Sequence, residues 1–134
     1  MYRLSQKEKK YLEFQRVGRM GLVGEDGLPH VTPLCHTLSK GVLYIQTKGS
    51  SWKVRSLQHL AEVVYVVDEY SEDWDALRGV KVHGRVEVLK DGDEYATAKR
   101  LLFKKYPQFK TLGWQDGRDV VMKIVPIKTT NWGL

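Results

Sequence analysis

The stretch LRGVKVHGRVEVL, residues Leu77 to Leu89, places a valine or glycine at every second position between polar residues. These positions are Val80, Val82, Gly84, Val86 and Val88. Successive side chains of a strand point to opposite faces, so this alternation is typical of a long strand with one buried face. A strand of this length needs neighbours along both edges, which predicts that the chain is mainly β.

Five further segments are predicted to be strands. The run Glu62 to Asp68, rich in β-branched residues, indicates a strand buried on both faces. The others are Met20 to Val23, His30 to Leu38, Val42 to Thr47 and Asp119 to Pro126. Asp26-Gly27 and Lys40-Gly41 mark turns between the first three strands. Pro33 lacks an N–H, so its strand should lie at an edge or carry a bulge.

Three helices are predicted around these strands. Ser5 and Glu8 form a capping-box pattern that begins a helix reaching Arg16. Ser50 or Ser51 can cap a second, short helix. A third runs from Asp93 to Lys105 and is stopped by Pro107. The order α-β-β-β-α-β-β-α-β, without repeat or linker, predicts one domain, residues 1–134, with six antiparallel strands and peripheral helices.

Composition restricts the class of protein. Hydrophobic residues make up 42% and charged residues 28% of the 134 residues, an ordinary globular mixture. No apolar run approaches the ~20 residues of a membrane helix, so we expect no membrane partner. The single cysteine, Cys35, is predicted to be buried and favours a reducing, cytoplasmic setting. The net charge of +6 favours an anionic partner, which could be nucleic acid, acidic lipid or a phosphorylated small molecule. The positive residues are dispersed along the chain, which argues against a nucleic-acid surface.

The segment TKGSSWKVR, Thr47 to Arg55, is the strongest candidate binding site. It places hydroxyls, a glycine and the cations Lys48, Lys53 and Arg55 between a strand and a helix start. Helix N-termini offer unpaired N–H groups and a partial positive charge, which suit a phosphate. A solvated loop with a serine cap would have the same pattern. Neither a Walker loop nor a Rossmann glycine motif occurs.

Other chemistry-bearing residues give weaker signals. His30, Cys35 and His36 lie close in sequence, but adjacent strand residues face opposite sides, so no metal site is predicted. No nucleophile with a partner base is visible, and catalytic residues therefore stay unknown. Trp132 would be exposed near the chain end unless it packs on a subunit, a ligand ring or its own barrel.

Several motifs in this order resemble one family along nearly the whole chain. They are DGLPHVTPL from Asp26, LYIQTK from Leu43, SWKVRSL from Ser51, VVDEYSEDW from Val66, the Leu77 to Leu89 strand, KKYPQF from Lys104 and TNW from Thr130. Together they resemble the pyridoxamine 5′-phosphate oxidase-like FMN-binding split barrels, especially a small branch that uses a deazaflavin. The Arg-rich substrate segment of true pyridoxamine phosphate oxidases is missing, which argues against a vitamin B6 oxidase.

The resemblance implies a six-stranded antiparallel split β-barrel that forms a homodimer, with the cofactor in the dimer groove. The cofactor would be FMN or, alternatively, the deazaflavin coenzyme F(420). Its phosphate would be held by Thr47, Lys48, Ser51, Lys53 and Arg55, and Trp52 would contact the cofactor beside them. The ring would run along Val31, Thr32, Pro33, Leu34 and Cys35. Arg78 and Gly79 would approach from another strand, and Trp132 would close the site.

The function implied is that of a flavoprotein oxidoreductase transferring hydride to or from a small organic substrate. The cofactor performs such chemistry, so a missing acid/base triad does not exclude an enzyme. A non-enzymatic flavin- or haem-binding carrier or sensor on the same fold is the alternative. A basic barrel binding single-stranded nucleic acid is a third, weaker hypothesis.

Overall fold

The computed structural model describes all residues, 1–134. The helices are α1 (Gln6–Phe14), α2 (Trp52–His59), α3 (Gly92–Lys105) and α4 (Gln108–Leu112). The strands are β1 (Gly18–Val23), β2 (Pro29–Leu34), β3 (Thr37–Ser39), β4 (Val42–Lys48), β5 (Glu62–Glu69), β6 (Arg78–Leu89) and β7 (Asp119–Trp132). None of the helices is both long and apolar enough to cross a bilayer.

The strands form one antiparallel sheet in the order β2-β1-β5-β6-β7-β4-β3. β2 and β3 therefore lie at opposite edges, yet only Cys35 and His36 separate them in the chain. Three Cα steps span at most about 11 Å, so the two edges must approach each other. The sheet curls into a barrel whose edges are joined by the chain and not by a hydrogen-bonded ladder.

The barrel has seven strands, so the prediction of six is wrong. The predicted strand His30 to Leu38 is broken at Cys35 and His36. His36 is fully buried, its N–H donates to the Tyr106 hydroxyl at 3.1 Å, and its Nε2 lies 2.8 Å from the Leu12 carbonyl oxygen. These bonds turn the chain inward and replace the ladder that a continuous strand would need.

The main core fills the barrel and is supplied by alternate residues of its strands. On β6, Val80, Val82 and Val86 are buried as the alternation predicts. On β5 the prediction of two buried faces is wrong, because its burial also alternates. No helix covers the outer face of β5, so Val64 and Val66 stay half-buried. β5 thus has one packed face and one largely open face.

The outer elements agree with the sequence at their starts and differ at their ends. The capping box of Ser5 and Glu8 is confirmed. β7 does not stop at Pro126: it continues past a bulge opposite His83 and Gly84 and pairs with β6 as far as Trp132. α4 was not predicted from sequence. It is held by a second cluster in which Phe109 packs beside Tyr106 and Trp114.

Candidate functional site

The turn that leads into α2 is held by hydrogen bonds from its backbone N–H groups. Ser51, one of the two predicted caps, is the N-cap of the helix, and its side chain accepts from the Lys53 N–H at 2.9 Å. The Ser51 N–H donates to the Lys48 carbonyl, and the Gly49 N–H donates to the Arg118 carbonyl of a distant loop. Other first-turn amides, such as those of Trp52 and Val54, have no partner within the helix. They are positioned to bind an anion.

Two lysines beside this turn have no acidic partner. Neither Lys48 nor Lys53 forms an ion pair, and in this they are like most lysines and arginines of the chain; the paired ones are Arg55, Arg78, Lys99, Arg118 and Lys123. Lys53 is half-buried, with Nζ 5.3 Å from the centroid of the Trp52 ring. Burial lowers the pKa of Lys53. A partly desolvated cation without a carboxylate partner favours an anionic ligand.

Arg55 and Thr47 differ from these lysines. Arg55 is exposed and is held by Glu25, with Nε 3.1 Å from Oε1, and by the Ser50 carbonyl, 2.7 Å from Nη1. Arg55 therefore braces the turn in this chain. Thr47 is buried on β4.

One of the two edge strands of the sheet is β2, which pairs only with β1. No residue of β2 is fully buried, and Val31 is 72% exposed. Pro33 lies on this edge strand, as predicted from its missing N–H. The prediction that Cys35 is buried is wrong, because Cys35 is exposed. His36 occupies the inward position beside it.

Two clefts share part of their lining, and the first of them opens next to β2. The first, of ≈510 Å³, combines Pro33 to Cys35 with residues of β4 and α4; its lining is Val17, Pro33, Leu34, Cys35, Gln46, Tyr106, Gln108, Phe109 and Leu112. The second, of ≈290 Å³, shares Gln46, Phe109 and Leu112 with the first. It adds Lys48 and Arg118. Together they form a groove that is apolar at one end and cationic at the other.

The remaining predicted site residues lie elsewhere in the single chain. Trp52 packs against His30, with ring centroids 5.1 Å apart. Arg78 pairs with Glu69 and lines a separate cleft of ≈450 Å³ with Lys7, Lys10, Tyr11, Phe14 and Leu134. Gly79 is paired with Trp132 across β6 and β7. One chain thus brings Pro33, Leu34, Cys35 and Lys48 together, but does not bring Arg78 to them.

Sequence reasoning missed several residues of the groove. Gln46 alternates with the buried Ile45 and Thr47 on β4, and this polar position in an apolar strand was a usable signal. Phe109, Leu112 and Arg118 gave no local signal. Their place depends on how α4 and the following loop pack against β4.

A curled antiparallel sheet with a groove beside its open edge is the architecture of the FMN-binding split barrels. The chain belongs to the pyridoxamine 5′-phosphate oxidase family, since residues 8–129 match that family. This confirms the resemblance seen in the sequence.

One characterised relative is an enzyme. The chain is 33% identical over 93 residues to a 5a,11a-dehydrotetracycline/5a,11a-dehydrooxytetracycline reductase of Streptomyces rimosus. The alignment covers 66% of each protein.

Solved structures show the same fold. A conserved hypothetical protein of Mycobacterium tuberculosis has a TM-score of 0.83 at 22% identity, covering 96% of this chain and 84% of its own. A heme binding protein of Mycobacterium smegmatis has a TM-score of 0.78 at 20% identity, and the match covers 99% of this chain and 56% of that protein. An FAD-binding protein of Mesorhizobium loti has a TM-score of 0.77 at 23% identity, and the match covers 96% of this chain and 94% of that protein. At these identities the likeness concerns the fold alone.

Proposed function

We propose that this protein is an oxidoreductase that uses FMN, or alternatively the deazaflavin coenzyme F(420), to transfer hydride to or from a small organic substrate. The observation that carries the proposal is the half-buried, unpaired Lys53 at a helix start with free amides, in the segment that follows Lys48, and Lys48 lines the cationic end of a groove that is apolar at its far end. The reductase activity of the Streptomyces relative supports the class of reaction.

The residues present fit a flavin-type molecule, which has a flat ring at one end and an anionic group at the other. Lys48, Ser51 and Lys53, with the Trp52 amide, would hold the phosphate beside the buried Thr47. Arg55 would support the phosphate site indirectly, because it holds the turn that carries these residues in place. Val31, Thr32, Pro33, Leu34 and Cys35 would run along the ring. The bound flavin supplies the hydride chemistry, while the protein supplies binding, orientation and exclusion of water.

The complete site would require a second copy of the chain. Arg78, Gly79 and Trp132 do not reach the groove of their own chain, and the unpaired β2 edge exposes Val31. In a homodimer the partner would supply these residues. Light scattering measures the mass directly. If the protein is monomeric with bound cofactor, the shared site is wrong.

The exposed, unpaired Cys35 is compatible with the reducing cytoplasm that we propose as the location of the protein.

The test is a calorimetric titration of the purified protein with FMN, coenzyme F(420) and haem in turn. We expect micromolar or tighter binding of one of the two flavins. Lys53→Ala should weaken it about 10- to 100-fold, because a charge-assisted hydrogen bond contributes roughly 1.5–3 kcal/mol. Lys104→Ala, which removes an exposed and unpaired lysine from α3, is the matched control. Equal affinities of the two variants would contradict the phosphate site.

Catalysis is tested separately from binding. The loaded protein is mixed with a nicotinamide donor, and then with small organic acceptors, while the absorbance of the cofactor is followed. Reduction and reoxidation on a steady-state timescale would support an enzyme. A cofactor that binds but never turns over, or selective binding of haem, would support the carrier or sensor alternative.

A further inference from the structure

Asp119, at the start of β7, is a buried carboxylate with a full set of donors. It is 2% exposed. Its Oδ2 accepts from the Gln115 N–H at 2.7 Å and from Arg118 Nη2 at 2.8 Å. Its Oδ1 accepts from Gln46 Nε2 at 2.7 Å. Burial alone would raise the pKa of Asp119, but the bonds from Gln115, Arg118 and Gln46 bring it below its usual value.

This carboxylate determines which way the Gln46 amide faces. An ionised carboxylate can only accept hydrogen bonds, so the nitrogen of the amide must point toward Asp119. The oxygen, Oε1, then points away from Asp119 and has no partner within the protein. Gln46 lines both clefts, so this oxygen is presented to the groove.

The other polar groups in the lining of the first cleft are the exposed Gln108 amide, the Cys35 thiol and the Tyr106 hydroxyl. No residue of its lining carries a formal charge at neutral pH. The Tyr106 hydroxyl is already engaged, lying 2.7 Å from the carbonyl oxygens of Arg16 and His36. A volume of ≈510 Å³ is within the range of small-molecule sites. Its walls would bind an apolar ring and penalise a buried charge.

We propose that the first cleft is the substrate compartment, that it takes an uncharged fused-ring compound bearing an O–H or N–H group, and that Gln46 Oε1 accepts from that group. Asp119 is the positioning residue that keeps the oxygen facing the ligand. The assignment as a substrate compartment rests on the proposed function, because Pro33, Leu34 and Cys35, along which the cofactor ring would lie, line the same cleft.

Three naphthalene derivatives test this by calorimetry, on the protein with and without bound cofactor. They are 2-naphthol, which has a donor; 2-methoxynaphthalene, which has the same ring without the donor; and naphthalene-2-sulfonate, which is charged. We expect 2-naphthol to bind about three- to tenfold more tightly than the ether, the range of one neutral hydrogen bond. The sulfonate should bind most weakly.

Variants then locate the preference. Gln46→Leu should abolish the preference for 2-naphthol while leaving the affinity for the ether nearly unchanged. Gln6→Leu, an exposed position of α1, should retain the preference. Asp119→Asn lets the Gln46 amide reverse, so the preference should shrink although Gln46 is intact. A purely structural role of Asp119 would instead weaken all three probes equally.

Each other outcome has a definite meaning. If the wild-type protein shows no preference, or Gln46→Leu keeps it, the assignment to Gln46 is overturned. If FMN or coenzyme F(420) displaces 2-naphthol, the cleft belongs to the cofactor and the compartment is refuted while the proposed function stands. If neither cofactor binds but the Gln46-dependent preference persists, the donor-selective cleft stands and the proposed function falls.

Discussion

Trp132 packs directly over Gly79, its partner across β6 and β7, and leaves no room for a side chain there. A Cβ at position 79 would overlap the indole and also crowd the Cβ of Asp68. The glycine is therefore required by the tryptophan, and the two were expected at the same site from the sequence.

Gly79→Ala should displace the indole and lower the free energy of unfolding by about 1–3 kcal/mol, as overpacking does elsewhere. Urea denaturation and tryptophan emission measure both effects. Gly21→Ala is the matched control, because a Cβ in that strand would meet its neighbours only at 3.8 Å or more. Equal stability of the two variants would show that Trp132 moves without cost.

Arg55 and Glu25 give a prediction about how the α2 turn is supported. Arg55 contacts Glu25 and the Ser50 carbonyl, so removing either partner should loosen the turn. We expect Arg55→Ala and Glu25→Ala both to weaken flavin binding, by about three- to tenfold, in calorimetric titrations. If Glu25→Ala instead tightens binding, Arg55 binds the phosphate directly and Glu25 only competes for it.

His36 makes stability depend on pH. Burial, with smaller contributions from the charges of Lys105 and Arg16, lowers the pKa of His36 from 6.5 to about 4. Between these two pKa values the unfolded chain binds the proton more readily than the folded chain does. Neutral His36 therefore makes its full contribution to the free energy of unfolding above pH 6.5, and this contribution decreases as the pH falls. Between pH 7.5 and 5.0 the loss due to His36 should be about 2 kcal/mol.

Urea denaturation at these two pH values measures that loss, and most carboxylates stay ionised throughout. His36→Gln should show a correspondingly smaller decrease. NMR titration of the wild-type ring provides a check that does not depend on how well the variant folds. A ring of His36 that titrates near 6.5 would contradict the prediction.

Asp119 and Asp116 allow a matched comparison of two aspartates in one loop. Asp119→Ala would leave the Gln46 amide nitrogen and the Gln115 N–H without their acceptor and would remove one of the acceptors of Arg118, and should cost about 2–3 kcal/mol of stability. Asp116→Ala removes a largely exposed ion pair with Lys99 and one of two acceptors of the Tyr95 hydroxyl, which keeps the Asp119 carbonyl, and should cost less than about 1 kcal/mol. Denaturation curves of the two variants decide, and similar losses would contradict the role given to Asp119.

Sequence alone determined the features that depend on neighbouring residues. The alternation of Val80, Val82 and Val86 predicted β6, the second-longest strand of the sheet. The adjacent serines Ser50 and Ser51 predicted the start of α2. Such patterns are local, because strand pleat and helix capping involve residues within a few positions of each other. The family resemblance had the same basis, in short motifs with a characteristic order.

Tertiary structure alone decided the number of strands and the composition of the groove. The break after β2 depends on His36 meeting Tyr106, 70 residues away, and the orientation of Gln46 depends on Asp119, 73 residues away. Contacts at such separations leave no periodic trace in the sequence. They exist only once the sheet has curled and brought β4, β7 and α4 to the side of β2.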